Sequence, residues 1–210
     1  MRTHPRADGP LRLIKFMHER LAFRRRVRVL SAVLADLVPV GASVLDMGCG
    51  DGTIGYLIGR LNPTASIQGL EVTPRPSCLI ECESFDGASI PRSDDSVDVC
   101  MFVDVLHHTL NIEELLKEAR RVARRHVLVK DHLYESRFDR VLLRFMDWVG
   151  NQPHGVQSVY NYKRRAEWDR VFSSCGLRVV SWNQCLPLYP PPFNRIFVRG
   201  LHYVGLLEKT

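Results

Sequence analysis

One stretch constrains the fold of this chain more than any other: Val44-Leu45-Asp46-Met47-Gly48-Cys49-Gly50-Asp51-Gly52. A short apolar run ends in an acid, and three glycines follow at alternate positions. The pattern then turns helical over residues 53–61, where Asn62-Pro63 stops it. Glycines at that spacing let a backbone approach a ligand with no Cβ in between. A helix that starts at once presents free N–H groups to an electron-rich or carboxylate group. A strand, a glycine loop and a helix in that order belong to a parallel sheet covered by helices on both faces.

The rest of the chain agrees with that class. Leu13, Phe16, Met17, Leu21, Val27, Leu30, Val33, Leu34 and Leu37 recur at helical spacing, which predicts a helix over 11–38 that ends at Pro39 and Gly41. Strands are expected at 43–46, 67–72, 97–103 and 127–129. Asn111, with Glu114 three residues on, caps a helix running to about Arg125. The last third reads differently. Residues 136–149 and 164–175 look helical, and Gly176 stops the second of these. Strands at 177–182 and 199–207 flank the proline-rich loop 187–192 and are expected to pair antiparallel. The organisation predicted is a helical extension, 1–38, acting as a lid, and a domain, 39–210, with an insertion at 136–162.

Composition removes several function classes. A chain of 210 residues with 45% hydrophobic and 25% charged residues can build a core and is not broadly disordered. No apolar run approaches the roughly 20 residues of a membrane-spanning helix. The first ten residues carry charge with no apolar stretch behind them, unlike a secretory signal. Six cysteines are too sparse for a disulfide scaffold. None forms a CxxC pair, which argues against a structural zinc site and for a reduced, cytoplasmic setting. The net charge is 29 − 23 = +6. Arg24, Arg25, Arg26 and Arg28 form one basic cluster, and Arg120, Arg121, Arg124, Arg125 and His126 another. Nucleic acid, anionic lipid or an acidic small molecule would each suit them. Solvated helix faces suit them better, because neither cluster is interleaved with the aromatics of single-strand binders.

Glu71, 71 − 52 = 19 residues beyond the last glycine, closes the second strand, where an acid can accept hydrogen bonds from ribose hydroxyls. Gly50-x-Gly52-x-x-Gly55 also matches the dinucleotide fingerprint, so an NAD-type dehydrogenase competes. The upstream Asp46-x-Gly48 is not needed by a dinucleotide. It suits a cofactor with an amino-acid tail.

These residues resemble the class I S-adenosylmethionine-dependent methyltransferases, in their small-molecule branch. VLDMGCGDG is similar to that family's first motif, and Glu71 in GLEV to its ribose-binding acid. FDGASIPRSDDSVDV is similar to the stretch before the fourth strand, and Val103-Asp104-Val-Leu-His107-His108 to the motif after it. The resemblance implies a Rossmann-like α/β fold: a seven-stranded, mostly parallel sheet of order 3-2-1-4-5-7-6 with strand 7 antiparallel, flanked by helices. It implies S-adenosylmethionine as cofactor and S-adenosylhomocysteine as product. Asp46, Gly48, Cys49, Gly50, Gly52, Glu71, Asp86, Gly87 and Val103 would surround the cofactor, with Asp86 at the adenine amino group. Glu71 and Asp86 are only 15 residues apart, and Thr73-Pro-Arg-Pro76 stands where a helix usually lies, so that helix is expected to be truncated. Asp94, Asp95 and Asp98 read as turn and strand-start residues.

Ligands of an open parallel sheet sit beyond the carboxyl ends of its strands. Asp104, His107 and His108 follow one strand, and Lys130, Asp131 and His132 the next. If a hydroxyl or amine accepts the methyl group, a base must take its proton, and histidine suits that task. The candidates are His107 first, then Asp104, His132 and Tyr160. No metal site is expected, since Asp131 and His132 are chain neighbours. Segment 145–162, with Phe145, Trp148, His154, Tyr160, Asn161 and Tyr162, reads as a cover over a small-molecule acceptor. RNA is the alternative acceptor, and a cofactor-binding partner subunit without chemistry is the alternative role.

Overall fold

The computed structural model describes residues 24–151, 159–190, 194 and 200–210. The part of the expected N-terminal helix before residue 24, residues 152–158 of the insertion with His154, and residues 191–193 and 195–199 lie outside the described residues. Helix α1 is Arg24–Leu37. Strand β1, Ser43–Met47, leads through the glycine loop into α2, Thr53–Leu61. Strands β2, Ser66–Glu71, and β3, Glu81–Ser84, follow with no helix between them, as the proline-rich 73–76 stretch dictates. Then come β4, Val97–Val103, a 3₁₀ turn at Leu106–His108, α3, Ile112–Val122, and β5, Ala123–His132. Helices α4, Arg137–Asn151, and α5, Arg165–Ser174, precede β6, Leu177–Asn183, and β7, His202–Lys209.

The seven strands form one sheet of order β3-β2-β1-β4-β5-β7-β6. The first five are parallel, and β7 runs antiparallel to both β5 and β6. Helices bury both faces. On one, Leu115, Leu116, Ala119 and Val122 of α3 and Trp168 and Phe172 of α5 pack against Leu45, Phe102, Val127 and Val129. On the other, Leu30 and Leu34 of α1 and Ile58 of α2 cover Val44, Val99, Met101 and Leu128. Alternate residues of β4 and β5 thus face opposite layers, and both sides are apolar because both are covered.

Three expectations need correction. β3, implied by the resemblance, had no place in the strands read from the residues, because Glu81-Cys-Glu-Ser84 is a short edge strand, exposed or half-exposed along its length, with no apolar signature. α3 ends at Val122 rather than near Arg125, and the chain passes straight into β5. β5 is ten residues long, so Lys130, Asp131 and His132 are its last residues rather than its sequel. That difference matters, because pairing with β7 fixes their directions: Lys130 lies opposite Val204, Asp131 opposite Tyr203 and His132 opposite His202.

Phe102 is fully buried in β4 between the edge that carries the site and α3. Phe102→Ala is expected to cost about 3–5 kcal/mol, the usual range for a large core truncation. Urea unfolding would read this as a lower midpoint at unchanged slope.

Candidate active site

The glycine loop folds back on β2. Gly48 N–H and Cys49 N–H both donate to the Leu70 carbonyl, at 2.7 and 3.2 Å. Gly50 N–H donates to Glu71 Oε2 at 2.9 Å, and Val72 N–H to Oε1 at 2.9 Å, so the Glu71 carboxylate closes on the loop. The three glycines have φ of +67°, +60° and +72°, which L side chains rarely adopt. Their surroundings differ. A Cβ on Gly48 would stand 2.7 Å from the Val105 side chain, and one on Gly52 2.8 Å from Cys78 Sγ. A Cβ on Gly50 would meet nothing within 4 Å. Gly50 therefore bares its backbone to open space beside Glu71, a cradle that any side chain would begin to fill.

Asp46, in the strand that leads into this loop, is 2% exposed. No group among the described residues donates a hydrogen bond to its carboxylate. Burial first, and then the nearby Glu71 charge, push it up to about 8, so it holds a proton at neutral pH. Cys49 Sγ is 3.4 Å from Cys82 Sγ, and burial pushes its thiol well up. It is therefore no ready nucleophile. Asp86 and Gly87 follow β3 on the same edge of the sheet. Asp86 Oδ1 accepts the N–H groups of Ala88 and Ser89, at 2.8 and 2.7 Å, which hold its carboxyl below the usual range. Val103, half-buried, closes β4 opposite Lys130.

The second half of the edge is densely charged. Asp104, directly after β4, takes φ +58°, and its N–H donates to the Lys130 carbonyl at 2.8 Å. Its carboxylate is paired with Arg26 of α1 and with the fully buried Lys130. Burial pushes Asp104 up, but Arg26 and Lys130 outweigh it and hold the carboxyl well below its ordinary range. Lys130 is pushed down by burial against the opposing pull of Asp104. Lys130 Nζ also lies 3.4 Å from His202 Nδ1.

Asp131 organises the turn after β4. Its Oδ2 accepts Leu106 N–H at 3.0 Å, and its Oδ1 stands 2.6 Å from His107 Nδ1 and accepts His132 N–H at 2.7 Å. Burial opposes its charge, yet His107 and the other donors keep it well below the usual range. The His107 ring is fully buried. It meets His132 edge-on at 4.7 Å and stacks on Tyr162 at 5.4 Å. Burial, then Lys130, push His132 down to about 4 and leave its ring neutral at pH 7. His132 in turn lies 4.7 Å from His202. The end of the insertion is tied in by Asn161, whose N–H donates to the His107 carbonyl at 3.0 Å. Tyr160, half-buried at φ +55°, lies 6.2 Å from Tyr162, with Arg144 over its ring.

The fold thus brings His107, His132 and Asp104 together, with Tyr160 at the margin and Tyr162 nearer. Sequence reading missed Arg26 and His202. Arg26 was masked by its cluster. The expected strand starts at 199, whereas β7 starts at His202, and as an antiparallel strand it brings that first residue to the carboxyl edge. His107, Asp131 and His132 place three ligand-type atoms within 4.8 Å of one another, but His107 Nδ1 is already bonded to Asp131. Arg120 binds the carbonyls of Gly176 and Thr210, Arg121 binds Glu118 and Asp94, and Arg124 binds Asp98. That basic cluster is largely committed to the fold. Asp94, Asp95 and Asp98 serve as its partners and those of Lys209 and Ser43.

A glycine cradle with a strand-end acid, on a sheet of order 3-2-1-4-5-7-6, is the architecture of class I S-adenosylmethionine-dependent methyltransferases. A family described as methyltransferase domain matches residues 15–182, and the chain belongs to it. An uncharacterized 37.1 kDa protein in transposon TN4556 of Streptomyces fradiae is 31% identical over 119 residues, 50% of this chain and 34% of that protein. The chain thus spans about a third of that relative's length. Among solved structures, the PH0226 protein of Pyrococcus horikoshii OT3 superposes with TM-score 0.65 at 15% identity, over 90% of this chain and 91% of that one. The mitomycin 7-O-methyltransferase MmcR superposes with TM-score 0.63 at 18% identity, over 88% of this chain and 54% of its own. No helix among the described residues is long and apolar enough to cross a membrane.

The protonated Asp46 has a consequence for stability. A carboxyl that titrates near 8 when folded, against about 3.8 when unfolded, costs nothing below pH 4, and its cost grows as pH rises toward 8. Asp46→Asn removes that cost. Thermal melts of the ligand-free protein should show the variant gaining on the wild type from pH 5 to pH 8. An equal difference at both pH values would refute the buried, protonated state.

Proposed function

We propose that the chain transfers a methyl group from S-adenosylmethionine to an oxygen or nitrogen of a small-molecule acceptor. The observation that carries this reading is the division of the edge into two unlike halves. One is an open glycine cradle over a neutral Asp46. The other is a buried, charged cluster around an oriented His107. The cofactor supplies a methyl group made electrophilic by a sulfonium.

The chain's residues would do the rest. Gly48, Gly50 and Gly52 let the backbone meet the cofactor, Glu71 holds the ribose hydroxyls, and Asp46 receives the amino-acid tail. Val103, Cys49, Asp86 and Gly87 line the remainder. Across the edge, Asp131 fixes the His107 imidazole, which takes a proton from the acceptor or orients it, with Asp104, His132 and Tyr160 in supporting positions. Displacement at a methyl group asks mainly for alignment, so holding both reactants supplies much of the rate. Segment 145–162 and the 1–38 extension would cover the acceptor, in keeping with the burial of His107. The free thiol state of all six cysteines suits the cytoplasm. RNA is the less favoured acceptor, because the arginines at 120, 121 and 124 are engaged with the fold itself.

Radiolabelled methyl transfer from S-adenosylmethionine into small-molecule extracts, with RNA in parallel, tests the reading. Label in small molecules alone supports it, and label in RNA alone refutes the acceptor class. His107→Ala should lower turnover about 10²–10⁴-fold, the range for a lost general base, while S-adenosylmethionine affinity stays within a few-fold. An unchanged rate would reduce His107 to a structural residue.

A further inference from the structure

Outside the acceptor edge, one side-chain cluster takes no step in the chemistry above, although its Cys49 also lines the proposed cofactor site. Cys49 of the glycine loop, Cys78 of the loop after β2 and Cys82 of β3 bring their sulfurs within 4.8 Å of one another. All three are half-exposed free thiols. No CxxC spacing announces them. Cys49 and Cys82 are 33 residues apart and meet only because β3 pairs with β2.

Two glycines make room for the sulfurs. A Cβ on Gly69, in the middle of β2, would fall 2.4 Å from Cys49 Sγ, and one on Gly52 would fall 2.8 Å from Cys78 Sγ. Glycine inside a strand weakens it and marks a place where another group approaches closely. Here the approaching group is the thiol.

We propose that Cys49, Cys78 and Cys82 bind a thiophilic d10 metal ion, zinc(II) with a water completing the tetrahedron. Zinc–sulfur bonds of about 2.3 Å at the tetrahedral angle set sulfurs about 3.8 Å apart. The trio, with one pair at 3.4 Å and all three within 4.8 Å, needs only small adjustments to meet that spacing. Each thiol gives up its proton as its sulfur–metal bond forms, and no oxidant is involved. All-sulfur donors select soft ions over magnesium or calcium. The nearby Glu71 carboxylate adds attraction for a cation. A bound ion would tie the glycine loop to β3 and to the loop after β2, three segments that surround the cofactor cradle. The site does not depend on which ligand the cradle holds.

Cadmium(II) is the probe, because sulfur-to-cadmium charge transfer absorbs in the ultraviolet. Titration of the reduced full chain should saturate at one ion per chain and raise its melting temperature. Cys82→Ser and Cys78→Ser should each weaken binding more than tenfold, whereas the exposed Cys185→Ser should leave it unchanged. Should a variant fail to fold, alkylation of the wild-type chain read by mass spectrometry is the second measurement. Cadmium should protect Cys49, Cys78 and Cys82 and leave Cys185 reactive. Absence of the charge-transfer band, equal binding by Cys82→Ser, or a Cys49–Cys82 disulfide in place of metal protection would overturn the proposal.

Discussion

A carboxylate taken out of water must find either a cation or a proton. This chain uses both solutions within one edge of one sheet. Asp46, at the end of β1, has no cation beside it among the described residues and keeps its proton. Asp104, after β4, is paired with Arg26 and Lys130 and keeps its charge. The rest of the edge is arranged around these two outcomes. Around the glycine loop, Asp46 stays neutral and the backbone at Gly50 stays open. The half around Asp104 is packed with ions that must stay together, because removing one would leave its partner buried and unpaired.

Topology brings about the second outcome. Lys130 is the β5 residue opposite Val103, which sets it next to the turn where Asp104 sits. The antiparallel β7 begins where β5 ends and places His202 against His132. Arg26 comes from α1, which is anchored across the sheet by Leu30 and Leu34. Four segments far apart in sequence therefore meet around one carboxylate. Lys130 and His132 are held at lowered proton affinity by the same burial, which leaves the His132 imidazole neutral at pH 7.

The donor half was legible in the sequence because its information is local. A strand, three alternating glycines, a helix and an acid at the next strand end occupy fewer than thirty consecutive residues, and each has a steric or electrostatic reason. The boundaries of α2 and β4 were read to the residue for the same cause: an Asn-Pro stop and an unbroken apolar run. The acceptor half was legible only in part. His107, Asp104 and His132 were visible as polar residues after apolar strands. Arg26 and His202 were not, since the first looked like one more solvated arginine and the second stands at a strand start that the expected 199–207 strand placed three residues too early. Spacing rules for cysteine likewise see only neighbours in the chain. They missed Cys49 and Cys82, which a parallel strand pairing joins.

Most directly, the account stands or falls on what the Gly50 cradle holds. Calorimetric titration of the ligand-free chain with S-adenosylmethionine, and separately with NAD, in two buffers of different ionisation enthalpy at pH 7, addresses this. The account predicts that S-adenosylmethionine binds with release of the Asp46 proton and that NAD does not bind. Binding of NAD with none of S-adenosylmethionine would contradict it.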